Sequence, residues 1–172
     1  LAHHCFFFSK DPRNFHDEIL HQRVLPSDPT IYLVAPTRTE PDLAPEGCEI
    51  IKALPHIPHL QDRSFTQEEY RVLKERVIDK LERMGLDGLR ENTVVEHVWT
   101  PEDIQRMYGS NRGSIYGTIS DLKMNLGLRA PKRSSKYRNL YFVGGSVNPG
   151  GGMPMVIHSG QKACDFIVED HP

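Results

Sequence analysis

The segment that most restricts the fold of this chain is a glycine-rich stretch near its C-terminal end, NLYFVGGSVNPGGGMPMVIHSGQKACDFI (139–167). Its first part, LYFVGG, is typical of a short strand buried on both faces, and Gly144 and Gly145 end it in a turn open to positive φ. Pro154 stands where a first helical residue is expected. An apolar stripe then follows at helical spacing: Val156, Gly160, Ala163 and Ile167. The sequence therefore predicts a strand, a glycine loop and a helix, in that order.

Such a loop has two interpretations. Backbone N–H groups at a helix N-terminus can accept an anion or a dipole, and the missing Cβ atoms let a ligand approach closely. The stretch can equally be a tight turn that binds nothing. It is neither a Walker loop, which needs Lys and Ser or Thr after the last glycine, nor the G-x-G-x-x-G fingerprint of a dinucleotide-binding unit. Both interpretations stay open on the residues alone.

Composition excludes several classes of protein. The 172 residues are 38% hydrophobic and 26% charged, which is typical of a globular domain or of a part of a larger protein. No apolar run approaches the roughly 20 residues of a membrane-spanning helix. A net charge of -2 gives no general attraction to nucleic acid. The wide spacing of Cys5, Cys48 and Cys164 favours reduced thiols over a disulfide framework.

The remaining patterns predict an α+β fold with a mixed or antiparallel sheet. Strands are expected at CFFFS, TIYLVAP (30–36), CEIIKAL and NTVVEHVWT (92–100), because β-branched and aromatic residues are enriched there. Shorter helices are predicted over 14–22 and 101–108, the second with Pro101 as its first residue. Residues 109–138 are predicted to be a long loop with little regular structure.

A long helix over 66–84 is predicted to pack on this sheet. Thr66 and Glu69 form the sequence signature of a capping box, and Gly85 marks the stop. Its apolar residues recur at helical spacing: Tyr70, Leu73, Val77, Leu81 and Met84.

The histidines of the sequence are weak candidates for metal ligands. His3 and His4 adjoin the start of the chain, where surface histidines are the ordinary interpretation. His56 and His59 lie near Asp62, but Pro58 breaks the helical geometry that a shared metal would need. No metal site is predicted.

A basic tract, which comprises Lys132, Arg133, Lys136 and Arg138, has two interpretations. It is either a solvated loop or a contact with anionic lipid headgroups.

Three segments closely resemble the bacterial and fungal phytoene-desaturase family of FAD-dependent carotenoid oxidoreductases. The stretch 138–167 resembles the C-terminal signature of the family. The stretch 28–47, DPTIYLVAPTRTEPDLAPEG, resembles the family segment that contains PTIY and APEG. The stretch 94–117, VVEHVWTPEDIQRMYGSNRGSIYG, resembles the family strand that is followed by T-P-x-D and R-G-x-x-Y. The matches run from about residue 5 to residue 168. GGSVNPGGGMPMV is most similar to the branch of diapophytoene desaturases and diaponeurosporene oxygenases.

The resemblance implies that the chain has two functional parts. Residues 1–138 are expected to belong to the substrate side, and residues 139–172 to the FAD-binding domain. The family's dinucleotide-binding half, with G-x-G-x-x-G, is not present in this sequence, which is therefore expected to be the last third of such an enzyme. The isolated chain is expected to be inactive and to bind no FAD.

The resemblance also implies a cofactor site. Gly144 and Gly145 are expected to face the pyrophosphate or ribitol of FAD. The run that passes under the flavin ring comprises Gly150, Gly151, Gly152, Met153, Pro154, Met155 and Val156. There the helix N-terminus would stabilise negative charge as hydride passes from a polyene to the flavin. No catalytic acid or base is identified; His158 is expected to face solvent or the core.

Two functions remain. The first is part of a carotenoid desaturase or oxidase of the phytoene or diapophytoene type, with a carotenoid substrate, a cytoplasmic location and peripheral membrane contact. The second is a non-catalytic module that keeps the loop as an anion- or partner-binding surface. Because LYFVGG and the helix stripe would have lost their neighbours, self-association through that surface is expected.

Overall fold

The computed structural model describes residues 1–117 and 129–172, and these form two compact units, 1–100 and 101–172. The predicted loop over 109–138 lies partly outside the described residues. The functional division at residues 138 and 139 stays a prediction. None of the described helices combines the length and the apolar composition needed to cross a bilayer.

The first unit contains a three-stranded antiparallel sheet in the order β1 (His4–Phe7), β2 (Ile31–Val34), β3 (Lys52–Pro55). Phe6 pairs with Tyr32, and Tyr32 pairs with Leu54. The strands predicted at CFFFS and TIYLVAP are confirmed, whereas β3 covers only the end of CEIIKAL and continues to Pro55. The predicted α+β class holds, with a sheet that is small and antiparallel.

The core lies between one face of this sheet and α2 (Gln67–Arg83). Side chains alternate across a strand, so Phe7, Ile31 and Leu33 point to the same side and are buried. They pack against the buried residues of α2, which include Leu73, Val77 and Leu81. Burial of each such side chain contributes roughly 1.5–3 kcal/mol.

The predicted long helix is confirmed with its cap. Thr66 Oγ1 accepts from Glu69 N at 3.2 Å, and Glu69 Oε2 accepts from Thr66 N at 2.8 Å. The helix ends before Gly85, whose φ of +110° favours glycine. Met84, predicted on the apolar stripe, is instead 49% exposed.

The shorter helices of the first unit are α1 (Pro12–Asp17) and α3 (Leu89–Asn92). Asp11 caps α1, accepting from the amides of Arg13 and Asn14, and a π-helical turn over Glu18–Gln22 extends it. The helix predicted over 14–22 is therefore confirmed, with an earlier start.

The strand predicted over 92–100 is wrong. Apart from the end of α3, this segment has no helix or strand, and Val94 and Val95 are 90% and 85% exposed. A strand is stabilised by hydrogen bonds to a neighbour, and within the described residues no segment pairs with this one.

The second unit contains α4 (Pro101–Tyr108), a 3₁₀ turn over Asn111–Gly113 and α5 (Met153–Asp170). Both α4, over 101–108, and the helix after the glycine loop are confirmed. The strand predicted at LYFVGG is wrong: among the described residues this segment forms only an isolated bridge, Tyr141 with Arg133, and a second bridge joins Val147, just after it, to Ala130. Phe142 and Val143 are exposed, so this segment is not buried on both faces either.

Candidate functional site

The glycine loop runs directly into α5, and the start of this helix has no side-chain cap. Gly152 is the N-cap with φ +106°, and no acidic residue lies in the first turn. The first intrahelical bond runs from Val156 N to Gly152 O at 2.9 Å. The preceding amides, those of Met153 and Met155, therefore have no acceptor within the helix, and Pro154 has no N–H at all. This leaves a positive helix end able to accept an anion or a carbonyl oxygen.

The two ends of the loop contact each other. Gly144, at φ +104°, donates its N–H to the hydroxyl of Ser159 at 3.2 Å, and Ser159 is fully buried in α5. A Cβ on Gly145 would lie 3.4 Å from Cα of Gly151, so the backbones pack closely. The start of the loop is thereby attached to the second turn of the helix that the loop precedes.

Arg129 and Tyr116 contact one side of the glycine loop. Arg129 Nη1 donates to the carbonyl oxygen of Gly145 at 2.7 Å and to that of Tyr116 at 3.4 Å. A Cβ on Gly150 would lie 3.1 Å from Arg129 Nε, and one on Gly151 would lie 2.8 Å from Cδ1 of Tyr116. At Gly151 the ring and backbone of Tyr116 therefore favour glycine, whereas at Gly150 the φ of +126° does so, since the end of the Arg129 side chain can move. The guanidinium adds positive charge beside the loop.

The predicted site residues differ in exposure. Val156 is half-buried, whereas Met153, Pro154 and Met155 are exposed, Met153 by 77%. Within the described residues, a Cβ on Gly144 or Gly152 would meet nothing within 4 Å, so these glycines border open space. The loop thus has a supported side, against Arg129 and Tyr116, and an open side.

The open side fits an edge of FAD. Four features of the described residues suit a flat, partly apolar group that carries carbonyl oxygens or phosphate. They are amides without an acceptor in the helix, a helix start without an acidic residue, open space at two glycines, and exposed apolar side chains. The fit concerns one edge only, since nothing in the described residues provides a phosphate-binding turn of the G-x-G-x-x-G kind.

The buried face of α5 differs from the predicted stripe. Ser159 and Ala163 are buried and Val156 is half-buried, but Ile167 is 43% exposed and Phe166 takes its place. Phe166 lies 4.1 Å below the guanidinium of Arg133, which also pairs with Glu169 at 2.5 Å. Arg133 supplies the positive charge that the last turn of α5 lacks.

Sequence reasoning missed Ser159, Arg129 and Tyr116. Ser159 stands four residues before Ala163, a spacing that indicates a shared helix face. Arg129 and Tyr116 carry no periodic signal, because they lie in segments predicted to be loop.

Other titratable groups form no second centre in the described ranges. Within them, no three His, Cys, Asp or Glu side chains are arranged to hold a metal. His158 is exposed. Partial desolvation of the ring, with a smaller contribution from the charge of His16, lowers the pKa of His56 below its usual value.

Comparison with known proteins finds close relatives. The chain is 61% identical over 171 residues to 4,4'-diapolycopene oxygenase of Methylomonas sp, covering 99% of this chain and 34% of that protein. It is 56% identical over 167 residues to 4,4'-diaponeurosporene oxygenase of Staphylococcus haemolyticus, covering 97% of this chain and 33% of that protein. The protein of the same name from Staphylococcus aureus (strain USA300) is 54% identical over 167 residues, covering 97% of this chain and 34% of that protein.

The chain spans about a third of the length of the curated relatives that it matches. No protein-family model matches it.

Proposed function

Since the chain belongs to the family of 4,4'-diapolycopene and 4,4'-diaponeurosporene oxygenases, to whose C-terminal portion it corresponds, we propose that it forms part of an FAD-dependent carotenoid oxidase. The observation that carries this proposal is the identity of 54–61% over nearly the whole chain. At such identity the backbone and most of the site are expected to be shared. The non-catalytic alternative gains no support, because these relatives are named as oxygenases.

In this proposal the glycine loop and α5 bind one edge of the flavin. The amides of Met153 and Met155 would donate to carbonyl oxygens of the ring, and Gly144 and Gly152 would leave room for it. Arg129 would hold the loop in position through the carbonyl of Gly145. The bound flavin would supply the electron-accepting chemistry, taking a hydride equivalent from the polyene, and water adding at the oxidised carbon would supply the oxygen atom of the product.

The contribution of this chain is therefore electrostatic and steric. The positive end of α5 would stabilise negative charge that develops on the flavin edge, and the exposed apolar side chains of Met153 and Met155 would exclude water from it. No side chain of the loop is assigned a proton-transfer role.

The test is the activity of a full-length family member that carries residues 1–172. This full-length protein can be produced from the natural gene. It can also be the Methylomonas relative in which the matching third is replaced by this chain. It would be expressed in cells that accumulate 4,4'-diaponeurosporene or 4,4'-diapolycopene, with pigments separated by chromatography. We expect new oxygen-bearing polyenes and FAD that is released on denaturation. A soluble, folded protein without flavin and without a new pigment contradicts the proposal.

A further inference from the structure

The sheet has a second face, away from the core, that is rich in aromatic side chains. Because successive residues of β1 alternate, Phe7 faces the core while Phe6 faces the other way, 54% exposed. Phe8, the residue after β1, is 65% exposed, and its ring stacks on that of Phe6. Tyr32 of β2 pairs with Phe6 and joins this outer face. These exposed aromatic side chains form an apolar patch on the face of the sheet opposite the core.

These rings form a continuous row with nearly parallel planes. Phe6 lies 5.9 Å from Phe8 at 13° and 4.8 Å from Tyr32 at 19°. Tyr32 lies 5.8 Å from the ring of His4 at 24°. We name Phe8, Phe6, Tyr32 and His4 the aromatic row. It offers a narrow apolar strip that ends in two polar groups.

The polar end always keeps a hydrogen-bond donor. Tyr32 Oη and His4 Nδ1 are 2.8 Å apart. If the phenol donates to Nδ1, the imidazole proton is on Nε2 and faces outward; if Nδ1–H donates to the phenol oxygen, the phenolic O–H is left. Within the described residues neither group has another hydrogen-bond partner. One N–H or O–H is therefore available to a ligand in both tautomers.

We infer that the aromatic row binds the polyene, and that the Tyr32–His4 pair donates a hydrogen bond to an oxygen atom at the end of an oxygenated polyene. This rests on the proposed function, and it names the part of the chain that recognises the substrate. A polyene is flat, uncharged and apolar along its length, and oxygenation gives it one polar end. The aromatic row is likewise apolar along its length and polar at one end.

A protein segment fits the row less well. An extended segment would bring a polar backbone group at every residue, and each of these needs a partner when buried. Phe6 and Phe8 offer none, and Tyr32 and His4 together offer one donor and one acceptor, both at one end of the row. The row therefore favours a ligand with one polar atom at one end.

The test compares the oxygen-free and the oxygen-bearing polyene as substrates of the full-length enzyme, with the double substitution Tyr32→Phe and His4→Leu. The rings' apolar surface is largely kept, while the donor is lost. Removing one neutral hydrogen bond is expected to raise KM for the oxygen-bearing polyene about three- to tenfold, with KM for the hydrocarbon changed less than about twofold. Tyr137→Phe removes an exposed phenol elsewhere and is expected to change neither value.

A second variant examines the apolar part of the row. Phe6→Ser is expected to raise KM for both polyenes, because the apolar contact is common to them. Equal KM changes, or none, for the two polyenes in the double variant would overturn the inference, as would loss of thermal stability without any change in KM, which would indicate that protein covers this face. If the unsubstituted enzyme oxidises no polyene, the proposed function itself fails, so the two failures are distinguishable.

Discussion

The ammonium of Lys80 lies 2.6 Å from the carboxylate of Asp28, although Lys80 is a buried residue of α2. Its other two N–H groups donate to the carbonyl oxygens of Phe8 and Pro29, each at 2.8 Å. All three donors of the ammonium are thus used. The helix is thereby attached to the segments that follow β1 and precede β2, which fixes the sheet against α2.

Replacing Lys80 by Met is expected to destabilise the chain by roughly 2–4 kcal/mol, because two carbonyls and a partly buried carboxylate lose their partner. Urea unfolding followed by circular dichroism measures the change. Lys74→Met is the matched control on the same helix, since Lys74 pairs with Glu96 at the surface. It is expected to cost less than about 1 kcal/mol. Equal costs for the two variants would contradict the role given to Lys80.

Asp28 makes the same contact dependent on pH. Burial opposes ionisation of this carboxyl, but hydrogen bonds from Lys80, Lys10 N and Ser9 and the charge of Lys80 outweigh it and lower the pKa of Asp28. A lowered folded-state pKa gives stability that is complete above the unfolded value of about 3.9 and is lost as pH falls through the folded value. We expect urea midpoints of the wild type to fall more steeply than those of Lys80→Met as the pH drops below this value. Parallel pH profiles would exclude the coupling.

The cap of α2 gives a third prediction. Thr66→Ala removes the acceptor for Glu69 N and is expected to lower stability by about 0.5–2 kcal/mol, whereas Thr66→Ser keeps the acceptor and is expected to change it little. Hydrogen bonds from Arg63, from Thr66 N and, as a smaller cause, from the Thr66 hydroxyl at 3.0 Å also lower the pKa of Glu69 to about 2. Thr66→Ala removes the hydroxyl bond and keeps the backbone one, so a titration of the Glu69 carboxyl by NMR should find this pKa rise. An unchanged stability in the Ala variant would show that the cap is not needed.

How far the sequence predicts the structure depends on how local each determinant is. The Thr66–Glu69 box is local, and it was predicted to the residue. The patterns of 92–100 and LYFVGG resemble strands, but a strand requires continuous pairing with another segment. The described residues supply no partner for 92–100 and only the single bridge of Tyr141 with Arg133 for LYFVGG. Lys80 lies on the same buried face of α2 as Leu73 and Val77. A search for apolar residues at helical spacing does not find it, because lysine is charged.

The outer surface of α5 leads to a prediction of self-association. Its exposed apolar residues include Met153, Met155, Ile157, Ile167 and Val168. Such a surface is expected to bury itself against a second copy when the 172-residue chain is purified alone. Sedimentation velocity over a range of concentrations measures this, with Ile157→Glu expected to shift the chain toward monomer and Lys162→Glu, also exposed on α5, as the control. A monomer at every concentration would contradict it.

The last prediction concerns Gly151, the residue at which loop packing and flavin binding can be separated. Gly151 is not among the residues at positive φ, so its backbone conformation does not require glycine. Its constraint is the ring of Tyr116, since a Cβ would lie 2.8 Å from Cδ1. In a full-length enzyme, Gly151→Val is therefore expected to displace the loop and reduce the FAD content.

Relief of this clash provides the control. With Tyr116→Ala in the same protein, the valine side chain gains space, and the FAD content is expected to recover in part if the clash with Tyr116 is the cause. The isolated 172 residues are expected to stay colourless with added FAD, because they carry only one edge of the site. Flavin fluorescence measures the FAD content of the full-length variants and, during titration, the binding of added FAD by the isolated chain. Stoichiometric FAD binding by the isolated chain would show that the glycine loop holds most of the affinity, and unchanged FAD content in Gly151→Val would leave it a turn that packs on Tyr116 and binds nothing.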